Sequence, residues 1–113
     1  MKMVLAFVQP FKLDDVTRSL ARIARFPGMT VSQAQGFGRE HAELSPDSMN
    51  GVLADFTHKV QIQTVVHEEQ VDGVVEAIAR TAHTGRFGDG MVFVLPVERA
   101  VRIATLREGE DAV

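Results

Sequence analysis

The segment that decides the fold is VQIQTVV at residues 60–66, together with the helical pattern that follows it. Small or apolar side chains alternate with glutamines, as in a strand with one face in a core. The core face comprises Val60, Ile62, Thr64 and Val66. After the acidic pair Glu68 and Glu69, which suits the first turn of a helix, apolar residues recur at helical spacing. That stripe comprises Val71, Val74, Val75, Ile78 and Ala82, and we expect Gly85 to end the helix.

The same order of elements is found on both sides of this segment. Residues 91–95 predict a strand after the helix. Upstream, residues 2–9 predict a strand buried on both faces, and a helix begins near residue 13. The turn at 26–28 breaks that helix, and residues 29–36 predict another strand. The chain is therefore two crossover units in succession.

Two such units predict a single α+β domain over residues 1–113, a ferredoxin-like βαββαβ sandwich with both helices on one sheet face. Strands this apolar on both sides should not leave the other face in water, so we expect an oligomer. Residues 99–104 predict a short edge strand, and residues 105–113 a mobile acidic tail.

Composition excludes several classes of protein. The 113 residues contain no cysteine, so disulfides and thiolate metal sites are excluded and a cytoplasmic location is expected. No apolar run is long enough to span a membrane. A net charge of −3 argues against nucleic acid as a partner.

A connection without periodicity runs over residues 37–55. Loops of roughly 20 residues are uncommon in compact domains and are either functional or disordered. Both interpretations stay open: a binding arm or an unstructured insertion. Within it, His41 next to Glu40 and Glu43 is a weak candidate for a divalent cation, although a solvated polar loop is the more common arrangement.

Two glycine clusters could contact a ligand. The first, Gly36-Phe37-Gly38, has His41 where a dinucleotide fingerprint needs a third glycine. The second, GRFGDG at residues 85–90, is followed by Met91 where a P-loop has lysine. Such turns either cradle an anion with backbone N–H groups or only cap a helix. No catalytic constellation is present, and we expect no enzyme activity.

Several motifs together resemble the P-II signal-transduction family of nitrogen regulation. They are QPFKLDDV (9–16), GMTV (28–31), GFGR (36–39), RTAHTGRFGDG (80–90) and VRI (101–103). The resemblance covers nearly the whole chain except the loop interior. It implies a homotrimer with nucleotide clefts between subunits, a T-loop at 37–55 that docks on partner proteins, and a B-loop at 83–90.

The resemblance also implies ligand positions for ADP, AMP or ATP, with Mg²⁺ as a further ligand. Residues matching places near adenine or ribose are Thr30, Gly36, Gln63, Val65 and Thr84. Residues matching places around the phosphates are Gly38, Arg39, Gly88, Asp89, Gly90 and Arg102.

Departures from the family pattern reduce the positive charge near the phosphates. Family members usually carry lysine at the position of Met91 and arginine at that of Ala104. Each charge-assisted contact is worth about 1.5–3 kcal/mol, so we expect triphosphate binding to weaken more than tenfold and ADP or AMP to be preferred. Lys59 matches a residue that binds 2-oxoglutarate, but Glu40 would repel that dianion.

The resemblance predicts control of a partner enzyme or membrane transporter. The chain contains no tyrosine, which excludes uridylylation of a tyrosine. The alternative is a metal-responsive trimeric regulator linked to metal efflux, with a divalent cation held by the loop. The identity of the partner does not follow from the sequence.

Overall fold

The computed structural model describes residues 1–37 and 56–113, which form an α+β sandwich. In these residues, four antiparallel strands have the order β2-β3-β1-β4. The strands are β1 (Lys2–Val8), β2 (Thr30–Gly36), β3 (Thr57–Val66) and β4 (Gly90–Pro96), and the helices are α1 (Leu13–Ala21) and α2 (Val71–Ala82). Short 3₁₀ turns cover Pro10–Lys12, Glu68–Gln70 and Gly109–Ala112. The predicted ferredoxin-like arrangement is confirmed.

The core lies between the sheet and the two helices. The alternation predicted for β3 is confirmed, because its four core-face residues are all buried. Val4, Ala6 and Val8 of β1 face the same side, opposite Thr64, Ile62 and Val60 in the register of the pair. The helices contribute Val16, Leu20, Val74, Ile78 and Ala82 to this core. The stripe predicted for α2 therefore packs where amphipathicity directs it, and Val16 and Leu20 give α1 a matching buried face.

One buried glutamine joins the two helices. The side chain of Gln70 donates to the carbonyls of Ala24 (3.0 Å) and Arg25 (3.1 Å), just after α1. Its Oε1 accepts from the backbone N–H of His67 at 3.1 Å, which caps the 3₁₀ turn before α2. A buried amide that is satisfied in this way fixes the relative position of the helix ends.

Within the described residues, the sheet face away from the helices is open, and it is apolar along β1 and β4. Met91, Phe93 and Leu95 alternate on β4 and are 62%, 41% and 40% exposed. The register places Met91 beside Phe7 of β1, whose side chain lies on this same face. The expectation that one sheet face remains uncovered in a single chain is thus confirmed.

Three local predictions were wrong: those for Gly85, for residues 99–104 and for the C-terminal tail. Helix α2 ends at Ala82 with an extended His83 at its C-cap, so Gly85 does not terminate it. Residues 99–104 form no strand; only Val101 makes a bridge, to Glu108. That contact folds the segment back on itself, so it does not extend the sheet.

The acidic tail is also different from expectation, because it packs on the domain. Ala112 is 6% exposed, and the turn Gly109–Ala112 carries Glu110 into contact with His67. Two anchors, one apolar and one charged, are sufficient to dock a short terminal segment. In the described ranges, no helix is long and apolar enough to cross a membrane.

Candidate functional site

Asp89 organises the glycine-rich turn at residues 83–90. One of its carboxylate oxygens accepts hydrogen bonds from the backbone N–H groups of Thr84 (2.7 Å) and Gly85 (2.9 Å). The other oxygen accepts from the hydroxyl of Thr84. These contacts stop α2 and turn the chain toward β4.

Hydrogen bonding keeps this carboxyl ionised. The Thr84 hydroxyl makes the largest contribution, followed by the Thr84 amide, and together with Gly85 and the nearby His83 they lower the pKa of Asp89 from 3.8 to about 2. Donors that point at a carboxylate favour its charged form. The turn therefore contains a fixed negative charge.

Two glycines close the turn against β1 and β3. Gly90 has φ +109°, and a Cβ there would lie 1.7 Å from the carbonyl oxygen of Phe7. Gly88 has φ +94°, and its carbonyl accepts a hydrogen bond from the ammonium of Lys59. Only glycine adopts such conformations without strain, so both positions depend on the missing side chain.

Free donors remain at the tip of the turn. Within residues 1–37 and 56–113, the backbone N–H groups of Phe87 and Gly88 donate to no acceptor. Phe87 is 85% exposed, so the tip faces solvent. Successive unpaired amides in a turn form a concavity suited to an anion.

A second group of predicted site residues lies at the opposite end of β3. Thr30, Gln63, Val65 and Arg102 line a cleft of about 510 Å³, together with Gly28 and the C-terminal Ala112 and Val113. This volume is in the range of small-molecule sites. The cleft therefore brings together three residues predicted to lie near adenine or ribose and one cation, Arg102, predicted to lie near the phosphates.

The C-terminal tail orients that cation. The Nε of Arg102 donates to the carbonyl of Ala112 at 2.9 Å. The tail is held by Glu110, whose Oε2 lies 2.8 Å from the Nδ1 of His67 and whose Oε1 lies 3.0 Å from the N-terminal ammonium. Hydrogen bonds from that ammonium and from His67 lower the pKa of Glu110. Sequence reasoning missed this docking, because an acidic tail carries no local signal for a partner 43 residues away.

The two groups do not meet in one chain. Gly36 and Lys59 line a separate cleft of about 350 Å³ with Gly90 and Met91. Gly36 pairs with Thr57, whereas Thr30 pairs with Gln63, so the two groups are about 20 Å apart along β2 and β3. Each chain thus presents two separate clefts that contain predicted site residues, at opposite ends of its open sheet face.

Five predicted ligand positions lie outside the described residues. They are Gly38, Arg39, Glu40, His41 and Glu43. The segment that holds them leaves from a closed base, where Gly36 pairs with Thr57 and the rings of Phe37 and Phe56 are 5.7 Å apart. In the part of the chain that the structure describes, no group of three or more His, Asp or Glu residues could hold a metal ion.

Comparisons with known proteins agree on one relationship. A family model described as "Nitrogen regulatory protein P-II" matches residues 1–109. The chain is 48% identical over 115 aligned residues to proteins named "Nitrogen regulatory protein P-II" from Pasteurella multocida and Haemophilus influenzae. It is 44% identical to "Nitrogen regulatory protein P-II 1" of Escherichia coli. Each alignment covers 100% of both chains.

Proposed function

The chain belongs to the nitrogen regulatory protein P-II family, and from that premise we propose that it binds an adenine nucleotide between subunits and reports it to a partner protein. A signal-transduction role follows from the family. The nucleotide, the homotrimer and the partner are the proposal. The partner, an enzyme or a membrane transporter, would be contacted through the T-loop at residues 37–55.

The observation that carries this proposal is the split site. The B-loop amides and Lys59 lie at one end of the open sheet face, and Arg102 lies with the second cleft at the other end. Packing the apolar face against a second copy would remove exposed Met91 and Phe93 from water. We call the B-loop end and the Arg102 cleft the two half-sites of the proposed nucleotide site. A rotationally symmetric trimer would place the first half-site of one subunit beside the second half-site of the next.

The proposed ligand is ADP or AMP in preference to ATP. Met91 is exposed on the open face close to Gly36 and offers no charge there, and Ala104 is equally neutral. Among the described residues, Arg102 is the one cation that we expect near the phosphates. Mg²⁺ would bind through the nucleotide phosphates, since the described residues provide no carboxylate cluster for it.

The test combines light scattering with calorimetry. We expect a trimer that binds about one ADP per subunit, with ATP weaker than ADP. Arg102→Ala should weaken binding at least about tenfold, since charge-assisted contacts are worth about 1.5–3 kcal/mol. Arg107→Ala is the matched control, because it removes the same charge from the same hairpin but does not line the cleft. A monomer, or a trimer that takes up no nucleotide, would refute the proposal.

Mixed trimers test whether the cleft is shared. Gly88→Ala should damage the B-loop half-site, because φ is +94° there and a Cβ would lie 3.3 Å from the Nε2 of Gln9. Trimers assembled from Gly88→Ala and Arg102→Ala subunits should regain intact clefts at about one quarter of positions by random assortment. No recovery would mean that each site is contained in one subunit.

A further inference from the structure

The carboxylate of Asp89 faces the turn that it belongs to. It accepts from the amides of Thr84 and Gly85 with one oxygen and from the Thr84 hydroxyl with the other. The side chain is 20% exposed, so little of it is available to a ligand. We propose that Asp89 is a positioning residue that holds the Phe87 and Gly88 amides in place for phosphate without touching the nucleotide. This inference rests on the proposed function.

A second contact fixes the other side of the tip. Lys59 donates to the carbonyl of Gly88, so that carbonyl points toward the ammonium and into the protein. Asp89 holds the residues before the tip, and Lys59 holds its last carbonyl. The amides of Phe87 and Gly88 lie between these two attachments, and the described residues offer them no acceptor. Donors that are already oriented bind an anion without the cost of ordering the loop.

The charge of Asp89 works against the proposed ligand. A carboxylate beside a phosphate site repels the phosphate, and this repulsion falls with distance and is reduced by water. A positioning role needs only the acceptor oxygens. Asparagine keeps one carbonyl oxygen for the two amides, and its NH₂ can donate to the Thr84 hydroxyl, which can also accept. Asp89→Asn therefore removes the negative charge of the side chain but keeps the hydrogen bonds that position the turn.

The experiment compares Asp89→Asn with Asp89→Ala in the full chain. Calorimetry with ADP, ATP and adenosine gives the affinities. Asp72→Asn is the control, since it removes one charge from the exposed start of α2. We expect Asp89→Ala to weaken ADP binding at least about tenfold, because it releases a turn held by three hydrogen bonds to a charged group.

The asparagine variant should behave in the opposite way. We expect it to bind ADP about two- to threefold more tightly than the native protein, with a larger gain for ATP, because a repulsive charge is gone. Adenosine, which lacks phosphate, should bind equally to all variants. A role limited to overall stability would not produce this dependence on phosphate number.

Loop order provides a second readout. By amide hydrogen exchange, Thr84 and Gly85 should be protected in the native protein and in Asp89→Asn, but not in Asp89→Ala. If Asp89→Asn loses ADP affinity as Asp89→Ala does, the carboxylate contacts the ligand or its Mg²⁺ and the inference is overturned. Unchanged affinity in Asp89→Ala overturns it as well. Absence of ADP binding by the native protein would instead overturn the proposed function, and this inference with it.

Discussion

Gly90 should be the glycine least tolerant of a side chain, and a series of alanine substitutions tests this. Gly90 starts β4 opposite Val8, with φ +109°. An added Cβ would lie 1.7 Å from the carbonyl oxygen of Phe7 and 2.8 Å from its carbon. Both atoms are backbone, so relief requires β1 and β4 to separate at this end.

The expected loss is the sum of two effects. A non-glycine residue forced into such a φ costs about 1–3 kcal/mol. Separating the strands also removes one or two ladder hydrogen bonds, at about 1 kcal/mol each. We therefore expect Gly90→Ala to lower the free energy of unfolding by about 2–5 kcal/mol.

Two other glycines serve as matched controls. Gly28 has the same φ of +109°, but a Cβ there would meet nothing within 4 Å, so Gly28→Ala should cost only the strain, about 1–3 kcal/mol. Gly73 lies in α2 with open space around it, and Gly73→Ala should stabilise by about 0.5–1 kcal/mol through helix propensity.

The assay is urea unfolding followed by circular dichroism, because the chain has no tryptophan or tyrosine to report by fluorescence. Protein concentration must be the same for all variants, since assembly adds to apparent stability. If Gly90→Ala and Gly28→Ala cost the same, Phe7 does not press on Gly90 and the stated geometry of the β1–β4 pair is wrong.

Three further predictions concern the B-loop and the C-terminal region. The pKa of Asp89 is lowered from 3.8 to about 2, so the B-loop should be fully ordered above pH 4 and should lose this order as the pH falls through 2. Amide exchange at low pH measures the order of the loop, and Asp89→Asn should abolish its dependence on pH. Leu106 has φ +60° and is 76% exposed, so Leu106→Gly should stabilise the fold by about 0.5–1 kcal/mol in urea unfolding, and a loss of stability would show that its side chain packs. Glu110→Ala should release residues 109–113, seen as faster exchange or proteolysis there, while Glu108→Ala is the control; equal protection of the tail in both variants would mean that the contact with His67 does not hold it.

The sequence alone determined the architecture, because its signals are local and periodic. The alternation in residues 60–66 and the apolar stripe of α2 each depend on neighbours a few residues away. Two repeats of strand, helix and strand leave few ways to arrange one sheet. Because both helices were predicted to lie on one sheet face, the sequence also predicted that the other face would be left open.

Only the tertiary structure decided how the site is built. Glycines predicted a turn at 85–90, but the direction of the Asp89 side chain depends on how the core positions α2 and β4. The same applies to Lys59, whose partner Gly88 is 29 residues away. Long-range contacts of this kind leave no trace in local periodicity.

The wrong predictions have the same origin. Gly85 resembled a helix terminator, yet α2 had already ended at Ala82 because Asp89 accepts the following amides. Residues 99–104 were predicted to form an edge strand, but the bridge between Val101 and Glu108 folds this segment back on itself, away from the sheet. The acidic tail seemed too polar to order until the fold supplied His67. Propensity and charge describe what a segment can do, whereas docking against distant residues decides what it does.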